Sequence, residues 1–314
     1  MRILFSGASS FTGLWFVQAL CAQGHEVVAS FTRRPQSYAL GTVAASRVAR
    51  VAGLCDCVYD IRFGDSTFIN LLKSGPPFDV LCHHGAAVGN YRDPDFDIFG
   101  AVNNNTQGIA KVLDVLADRG CGAIVLTGSV FERGEGAGSK EQLSVSPYGE
   151  SKAITSDLFR FYAAQTGIQL KKFVIPNPFG PFEEPRFTAY LMRQWMARKT
   201  AHVRTPAYVR DNIHVGLLAA AYREFVTSSS SDAPYLHFGP SGYVQTQAEF
   251  AKRFATQMRE RLSLACRLGF SEQTDFAEPR VRINVHPVDA RALSFNEVEA
   301  WDAVARYYVE LCSK

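Results

Sequence analysis

The sequence predicts an α/β protein built on a doubly wound parallel sheet, the Rossmann arrangement, with a smaller lobe toward the C-terminus. Short apolar runs alternate with helical patterns through the first half of the chain, and each run ends at a turn or a glycine loop. This alternation is typical of βαβ units, in which helices connect parallel strands. We expect residues 1–176 to form the sheet domain, with residues 210–238 returning to it. Residues 177–314 should form most of a substrate-binding lobe.

The individual elements can be placed from their apolar patterns. Continuous or alternating apolar runs indicate strands at 3–5, 26–31, 57–59, 79–83, 123–126 and 235–238. Helical spacing of apolar residues indicates helices at 95–117, 188–198, 212–225, 247–262 and 298–311. The pattern between 263 and 292 predicts no clear element.

Composition excludes several classes of protein. The apolar fraction of 47% and charged fraction of 20% are those of a globular chain with a sizeable core. A net charge of +3, spread along the chain, favours neither nucleic acid nor an anionic membrane as a partner. The seven cysteines are an odd number without a Cys-x-x-Cys pair, which suits reduced thiols. Without a membrane-length apolar run or a signal peptide, the sequence predicts a cytoplasmic protein.

A glycine loop joins the first predicted strand to the first helix. The loop amides and the helix N-terminus favour an anion, and the missing side chains let a pyrophosphate come close. Serine stands where a dinucleotide loop usually has its middle glycine, and an ordinary tight turn between strand and helix would also fit. The candidate phosphate-binding residues are Gly7, Ser9, Ser10, Phe11, Thr12 and Gly13.

The residues after the second strand bear on cofactor choice. An NAD site typically has an acidic residue about 20 positions beyond the glycines, to hold the ribose hydroxyls. This chain has Arg33 and Arg34 instead. Two arginines suit a 2′-phosphate through charge-assisted hydrogen bonds, so NADP is favoured over NAD. A solvated loop is the alternative interpretation.

A tyrosine and a lysine four residues apart are the candidate proton-transfer pair. Tyr148 and Lys152 would lie on one face of a helix. A nearby lysine charge favours the phenolate, so the tyrosine could exchange a proton with a hydroxyl or carbonyl group near neutral pH. The same spacing also occurs by chance on exposed helices. The adjacent His83 and His84 have no partner at metal-ligand spacing, and no metal site is predicted.

The order of the motifs resembles that of the extended short-chain dehydrogenases/reductases, the NAD(P)-dependent epimerases and dehydratases of nucleotide sugars. The resemblance covers about the first 240 residues. The motifs are Gly7…Gly13, Asp60, 79–83 with Ala86-Ala87, 105–108, Thr127-Gly128-Ser129, Tyr148-x-x-x-Lys152, 177–181 and 210–215.

The resemblance implies a catalytic role for four residues. Tyr148 would be the acid/base at the reacting hydroxyl or ketone. Lys152 would bind the nicotinamide ribose and hold the tyrosine ready to ionise. Ser129 would hydrogen-bond the same substrate oxygen, and Asn105 would complete the active site from a neighbouring helix.

The resemblance also implies binding residues. Asn177 and Arg210 would lie at the nucleotide-diphosphate end of the substrate, where an arginine fork suits phosphate oxygens. Ser129 would bind the sugar end. The cofactor residues implied in addition to the glycine loop and the arginine pair are Asp60, Ile61, His83, Gly85, Ala86, Tyr148, Lys152 and Pro176.

Departures from the family pattern narrow the reaction. Val130 and Phe131 follow Ser129 where the 4,6-dehydratases carry an Asp-Glu pair, so dehydration is disfavoured. Glu132 is interpreted as a loop residue. The sequence therefore favours a nucleotide-sugar epimerase that works through a keto intermediate. The resemblance to the family also implies a homodimer.

Two other functions stay open. An NADPH-dependent ketoreductase of a keto-sugar or another small carbonyl compound would suit the arginine pair after the second strand. A cofactor-binding protein without catalysis is disfavoured, because the serine, tyrosine and lysine of the motifs are all present.

Overall fold

The computed structural model describes residues 1–90, 93–228 and 233–312. The serine run at 228–231, which the sequence predicts as a surface loop, lies outside these residues except for Ser228. The chain divides into two compact units. The first comprises Met1–Glu135, Leu143–Ile175 and Tyr222–Gly239, and the second comprises Gly136–Gln142, Pro176–Ala221 and Pro240–Lys314.

The strands follow one another in chain order with short elements concentrated in the second half. They are β1 (Arg2–Ser6), β2 (Glu26–Ser30), β3 (Asp56–Val58), β4 (Val80–His83), β5 (Ala123–Ser129), β6 (Ala137–Gly138), β7 (Gln169–Ile175), β8 (Asn177–Phe179), β9 (Ala201–Val203), β10 (Val209–His214), β11 (Tyr235–Phe238), β12 (Pro240–Ser241), β13 (Tyr243–Thr246), β14 (Leu268–Phe270), β15 (Val281–Ile283) and β16 (His286–Pro287).

The helices alternate with these strands, and a short 3-10 turn spans Pro35–Ser37. They are α1 (Phe11–Ala22), α2 (Val43–Ala52), α3 (Ser66–Lys73), α4 (Ile98–Thr106), α5 (Ile109–Asp118), α6 (Pro147–Thr166), α7 (Phe187–Met196), α8 (Val215–Thr227), α9 (Gln247–Leu262) and α10 (Glu297–Cys312). Among the described residues, no helix is long and apolar enough to cross a membrane.

The first unit is organised around a parallel sheet in the order β11-β7-β5-β4-β1-β2-β3. Every neighbouring pair in this sheet is parallel, which confirms the doubly wound sheet predicted from the sequence. The strand order reverses between β1 and β4, and ligands of open α/β sheets bind at such a point, beyond the carboxyl ends of the strands. The glycine loop after β1 therefore lies where a dinucleotide would bind.

The core of the first unit explains why its central strands read as continuous apolar runs. Leu4 of β1, Leu81 of β4 and Ile124 of β5 are fully buried in one cluster with side chains from the covering helices. Each such side chain contributes roughly 1.5–3 kcal/mol by its removal from water. Packing of this kind fixes the strand ends that carry the polar residues of the site.

Strand β7 was not predicted, because its sequence contains two adjacent lysines. Lys171 is buried, and its ammonium group donates to carbonyl oxygens at the end of α8, including that of Ser228 at 2.9 Å. Lys172 is buried on the opposite face and pairs with Glu132 at 2.6 Å and Glu135 at 2.7 Å. Both charges are matched by partners that the sequence pattern of the strand does not reveal.

A break between α4 and α5 corrects the single helix predicted at 95–117. Gly108 has a φ of +60°, and Gly64, with a φ of +75°, lies against it. A Cβ atom on Gly64 would lie only 1.6 Å from the carbonyl oxygen of Gln107. This contact of backbone on backbone fixes the end of α4, which carries Asn105.

The second unit contains a mixed sheet in the order β13-β10-β15-β6, with β8 also pairing with β10. Residues 212–214 belong to β10, so the helix predicted to start at 212 begins only at Val215. The core is aromatic: Phe179 lies against Phe250 and Trp301, with ring centroids 5.2 Å apart in both pairs. Trp195 is buried there as well.

The backbone contact at Gly64 can be tested by substitution. Gly75→Ala should cost roughly 1–2 kcal/mol, because Gly75 has a φ of +67° and no described atom lies within 4 Å of an added Cβ. Gly64→Ala has the same conformational strain and a clash with the backbone, so we expect it to cost about 1–3 kcal/mol more. Urea unfolding of both variants measures the difference; equal losses would show that the contact is not tight.

Candidate active site

The loop after β1 is closed by a serine at the helix start. The Ser10 hydroxyl accepts a hydrogen bond from the Gly13 amide at 3.0 Å and donates to the Gly7 carbonyl at 2.9 Å. It thereby caps α1, of which Phe11 is the first residue, and the first turn of α1, described in full, has no acidic side chain. Serine in the place of the middle glycine thus serves as the helix cap, and the uncompensated helix N-terminus favours an anion.

Two glycines allow the protein backbone to pack closely at this loop. A Cβ atom on Gly7 would lie 2.5 Å from the Gly85 amide nitrogen, and one on Gly13 would lie 2.3 Å from the Gly7 carbonyl oxygen. The loops after β1 and β4 therefore meet without side chains at the point where the strand order reverses. Such a cradle fits the pyrophosphate of a dinucleotide. Ser9 and Ala86 belong to the same two loops.

His84 connects the glycine loop to β5. Its Nε2 atom lies 2.9 Å from the Ser10 hydroxyl and 3.1 Å from the Thr12 hydroxyl. Its Nδ1 atom lies 2.9 Å from the Thr127 hydroxyl. The three hydroxyl groups together hold the imidazole ring between the glycine loop and β5. Burial and then the Lys152 charge lower the pKa of His84 to about 3, so the ring is neutral.

Charged residues meet at the ends of β2 and β3. The Arg34 guanidinium forms an ion pair with the Asp60 carboxylate, and the Arg33 guanidinium lies 4.9 Å from the centre of the Tyr38 ring. Asp60 has a φ of +59°, and the next amide, of Ile61, donates to the Phe31 carbonyl at 3.0 Å. The structure therefore brings together the predicted residues for the adenosine end of a cofactor.

Ser129 ends β5 in a tight turn. Its amide donates to the Glu132 carboxylate at 2.7 Å, and its carbonyl accepts from the Glu132 amide at 3.0 Å. Its hydroxyl oxygen accepts from the Phe131 amide at 3.2 Å. The Phe131 amide uses the hydroxyl oxygen as an acceptor and leaves its proton available for donation. Ser129 is thus suited to donate a hydrogen bond to a substrate oxygen.

Helix α6 carries the predicted tyrosine and lysine near its capped N-terminus. Ser146 caps the helix by accepting from the Gly149 amide at 3.3 Å. Lys152 is buried, and its ammonium donates to the Thr127 carbonyl at 2.6 Å. Burial lowers the pKa of Lys152, and the Glu132 carboxylate opposes that shift. Tyr148 is half-buried, one helical turn before the lysine.

Gly149 lets this helix approach the Ser129 turn. A Cβ atom on Gly149 would lie 2.3 Å from the Phe131 carbonyl oxygen. The same oxygen accepts from the Val145 amide at 3.0 Å. The first turn of α6 therefore lies directly on the turn after β5, which brings the backbone bearing Tyr148 to that bearing Ser129. Sequence reasoning did not single out Gly149, although a glycine between the tyrosine and the lysine was visible.

Asn105 joins the loop after β4 to α6. Its Oδ1 atom accepts from the Ala87 amide at 3.1 Å, and its Nδ2 atom donates to the Thr155 hydroxyl at 3.3 Å. Its carbonyl oxygen lies 3.0 Å from Nε2 of His83, whose Nδ1 lies 3.0 Å from the Ser6 hydroxyl. Asn105 and His83 therefore hold the surrounding elements together.

The remaining predicted residues, Pro176, Asn177 and Arg210, belong to the second unit. The Asn177 side chain donates to the Asp211 carbonyl at 3.3 Å. The Arg210 guanidinium pairs with Glu278 at 3.0 Å and also donates to three backbone carbonyl groups. These contacts hold both side chains within the second unit.

The adjacent His83 and His84 are both held by hydrogen bonds within the protein. Both ring nitrogens of His83 and of His84 lie within hydrogen-bond distance of protein oxygen atoms. Within the part of the chain that the structure describes, no three His, Cys, Asp or Glu side chains are grouped so that they could hold a metal ion.

The fold and this arrangement of residues define the class of protein. The family model of the NAD dependent epimerase/dehydratase family matches residues 3–239. The chain therefore belongs to this family, and the resemblance stated from its motifs is confirmed. It is an enzyme of an NAD(P)-dependent class. Comparison with curated proteins gives no significant match.

Solved structures share the whole fold at low sequence identity. UDP-glucuronic acid 4-epimerase from Bacillus cereus is 16% identical, with a TM-score of 0.76 over 99% of this chain and 100% of that chain. UDP-glucose 4-epimerase from Thermotoga maritima is 17% identical, with a TM-score of 0.74 over the same shares. UDP-N-acetylglucosamine 4-epimerase from Methanobrevibacter ruminantium is 14% identical, with a TM-score of 0.74 over 98% of both chains. These similarities confirm the fold.

The neutral buried histidines make the stability depend on pH. Folding lowers the pKa of His83 and His84 from the ordinary 6.5 to about 3, so unfolding below pH 6.5 takes up protons. Their contribution is complete above about pH 6.5 and is lost as the pH falls toward 3, by at most about 1.4 kcal/mol per pH unit for each histidine. We expect His84→Gln to show a smaller loss of unfolding free energy between pH 6.5 and 4.5 than the wild type. Urea titrations at several pH values measure this, and an identical slope would contradict it.

Proposed function

We propose that this enzyme is a nucleotide-sugar epimerase that works by tyrosine-assisted hydride transfer through a keto intermediate. One observation carries the proposal: the first turn of α6, which bears Tyr148, lies on the turn that begins at Ser129. The Lys152 ammonium is held by a carbonyl at the end of the same strand, β5. A proton acceptor, a hydrogen-bond donor and a fixed cation thus share the carboxyl edge of the sheet.

The residues act on a substrate hydroxyl in a defined order. Ser129 donates a hydrogen bond to the substrate oxygen, and Tyr148 removes the hydroxyl proton. The Lys152 charge favours the phenolate that this step requires. A bound nicotinamide would supply the hydride chemistry, which is removal of a hydride from the sugar carbon and its return to the opposite face. Tyr148 would then return the proton to the same oxygen as the keto group is reduced.

The cofactor we propose is NADP in preference to NAD. The Arg33 and Arg34 guanidinium groups follow β2, where a 2′-phosphate would lie. Asp60 would repel that phosphate, but its carboxylate is paired with Arg34, which reduces the repulsion. The solved Bacillus cereus structure is a complex with UDP-glucuronic acid and NAD, so NAD is the alternative.

The substrate class we propose is a UDP-sugar. The three similar structures are described as UDP-sugar 4-epimerases. Binding of the nucleotide diphosphate by Asn177 and Arg210 stays a prediction, and Arg210 would have to share its guanidinium with Glu278. The homodimer and the cytoplasmic location also stay predictions.

A ketoreductase is the second candidate, and the arginine pair after β2 favours it because net reductases commonly use NADPH. Denaturing the purified protein and recording the spectrum of the supernatant separates the two functions. Nicotinamide retained through purification supports an epimerase that regenerates its cofactor. A site filled only by added NADPH supports the reductase.

Replacement of the tyrosine tests the catalytic assignment. Tyr148→Phe removes the acid/base and should lower kcat by about 10²–10⁴-fold. Cofactor affinity should stay within about threefold, since the phosphate cradle is unchanged. Turnover of UDP-sugars and fluorescence titration with NADPH and NADH measure both, and NADPH should bind more tightly. Substantial turnover by the variant would remove Tyr148 from this role, and failure of the wild type to bind either dinucleotide at micromolar concentration would overturn the function itself.

A further inference from the structure

A buried acid lies directly behind the catalytic strand end. Glu132 has no solvent-exposed surface. One of its carboxylate oxygens accepts from the Ser129 amide at 2.7 Å, and the other lies 2.6 Å from the Lys172 ammonium. A single carboxylate therefore connects the turn after β5 to β7, the neighbouring strand.

The ion pair continues toward the surface. Lys172 also lies 2.7 Å from Glu135, whose second oxygen lies 2.7 Å from Nε2 of His237. Burial alone would lower the pKa of Lys172, but Glu132 and Glu135 together raise it. For Glu135, burial is outweighed by His237 and Lys172, which lower its pKa. Lys172 and Glu135 therefore favour each other's charged form.

The strand beside these charges is shaped to admit them. A Cβ atom on Gly128 would lie 2.8 Å from Cε of Lys172 and 3.1 Å from the Glu132 carboxylate. Buried charges are costly unless they are paired. Gly128, immediately before Ser129, gives this ion pair the space it needs. The ion pair therefore helps to fix the position of Ser129.

We propose that Glu132, in its ion pair with Lys172, is a positioning residue that aims the Ser129 hydroxyl and supports the Lys152 ammonium without contacting substrate. This inference rests on the proposed role of Ser129 and Lys152. Glu132 holds both the amide and the carbonyl of Ser129, which fixes the turn on which α6 lies. Its charge raises the pKa of Lys152, which favours the ammonium form.

The charges around Lys152 act in opposite directions. Glu132 raises its pKa, and Lys172 lowers it, while burial is the larger effect and lowers it. His83 and His84 also face Lys152, but their pKa values of about 3 leave them neutral above pH 7. Activity should therefore be lost at the alkaline pH at which Lys152 loses its proton. Glu132 moves this limit to higher pH, and Lys172 moves it to lower pH.

Two variants test this opposition. Glu132→Gln keeps an acceptor for the Ser129 amide but removes the charge, so we expect kcat to fall at least tenfold and its alkaline limit to move to lower pH. Lys172→Met should move the alkaline limit to higher pH. For both variants KM and cofactor affinity should stay within about threefold. If the alkaline limits of both variants moved in the same direction, Glu132 would have only a structural role and the proposal would be overturned. A lower kcat with an unchanged pH profile would have the same consequence.

Matched variants separate positioning from loss of folding. His237 is four contacts away from Ser129 in the same chain of groups, so His237→Gln should lower the melting temperature with less than a twofold change in kcat. The double variant Glu132→Gln/Lys172→Met removes both charges of the pair together, and Glu135 keeps His237 as a partner. It should fold if either single variant does not, and its alkaline limit should lie between those of the single variants or near that of the wild type. A limit outside that range would contradict the proposal.

Hydrogen exchange provides a readout that does not depend on turnover. The Ser129 amide should exchange at least tenfold faster in Glu132→Ala than in the wild type, because its acceptor is lost. If the wild type turns over no nucleotide sugar but this change is seen, the proposed function fails, whereas the role of the Glu132 carboxylate in holding the Ser129 amide is supported. If the Ser129 amide exchanged at the same rate in both proteins, Glu132 would not hold this amide and the proposal would be overturned.

Discussion

The buried ammonium group of Lys152 is the charge on which the rest of the first unit's site depends. It is out of water and is held by the Thr127 carbonyl, so its position is fixed by the end of β5. The Glu132 carboxylate partly offsets the cost of burying this ammonium group. The positive charge of Lys152 in turn lowers the pKa values of His83 and His84 and so helps to keep both rings neutral. A cation fixed in this way can favour a phenolate one helical turn away and bind a ribose hydroxyl without reorganisation.

Much of the fold followed from local pattern, and the failures have identifiable physical causes. The glycine loop and the strands of the sheet's centre were predictable because both faces of a parallel strand are buried and apolar. Strand β7 was not, because the carbonyl groups that hold Lys171 and the carboxylates that pair with Lys172 are distant in sequence. The break between α4 and α5 depends on Gly64, a partner 44 positions before Gly108 whose contact no periodicity reveals.

The site shows the same division between local and distant causes. Spacing and order were enough to place the predicted serine, tyrosine and lysine on β5 and α6. The residues that hold these groups became visible only in three dimensions. His84 bridges two loops, Gly149 permits the contact of helix and turn, and Glu132, interpreted from sequence as a loop residue, is fully buried. A short polar motif predicts the reacting groups, whereas their supports come from chain segments far apart in sequence.

The pH dependence of turnover in Lys152→Met tests the central claim most directly. If the fixed ammonium favours the reactive phenolate, its loss should move the rise of kcat to higher pH by about one unit or more. Methionine fills similar space, so the helix and the strand end should remain in place, which circular dichroism and thermal melting can verify. A folded variant whose kcat rises at the same pH as in the wild type would contradict the account.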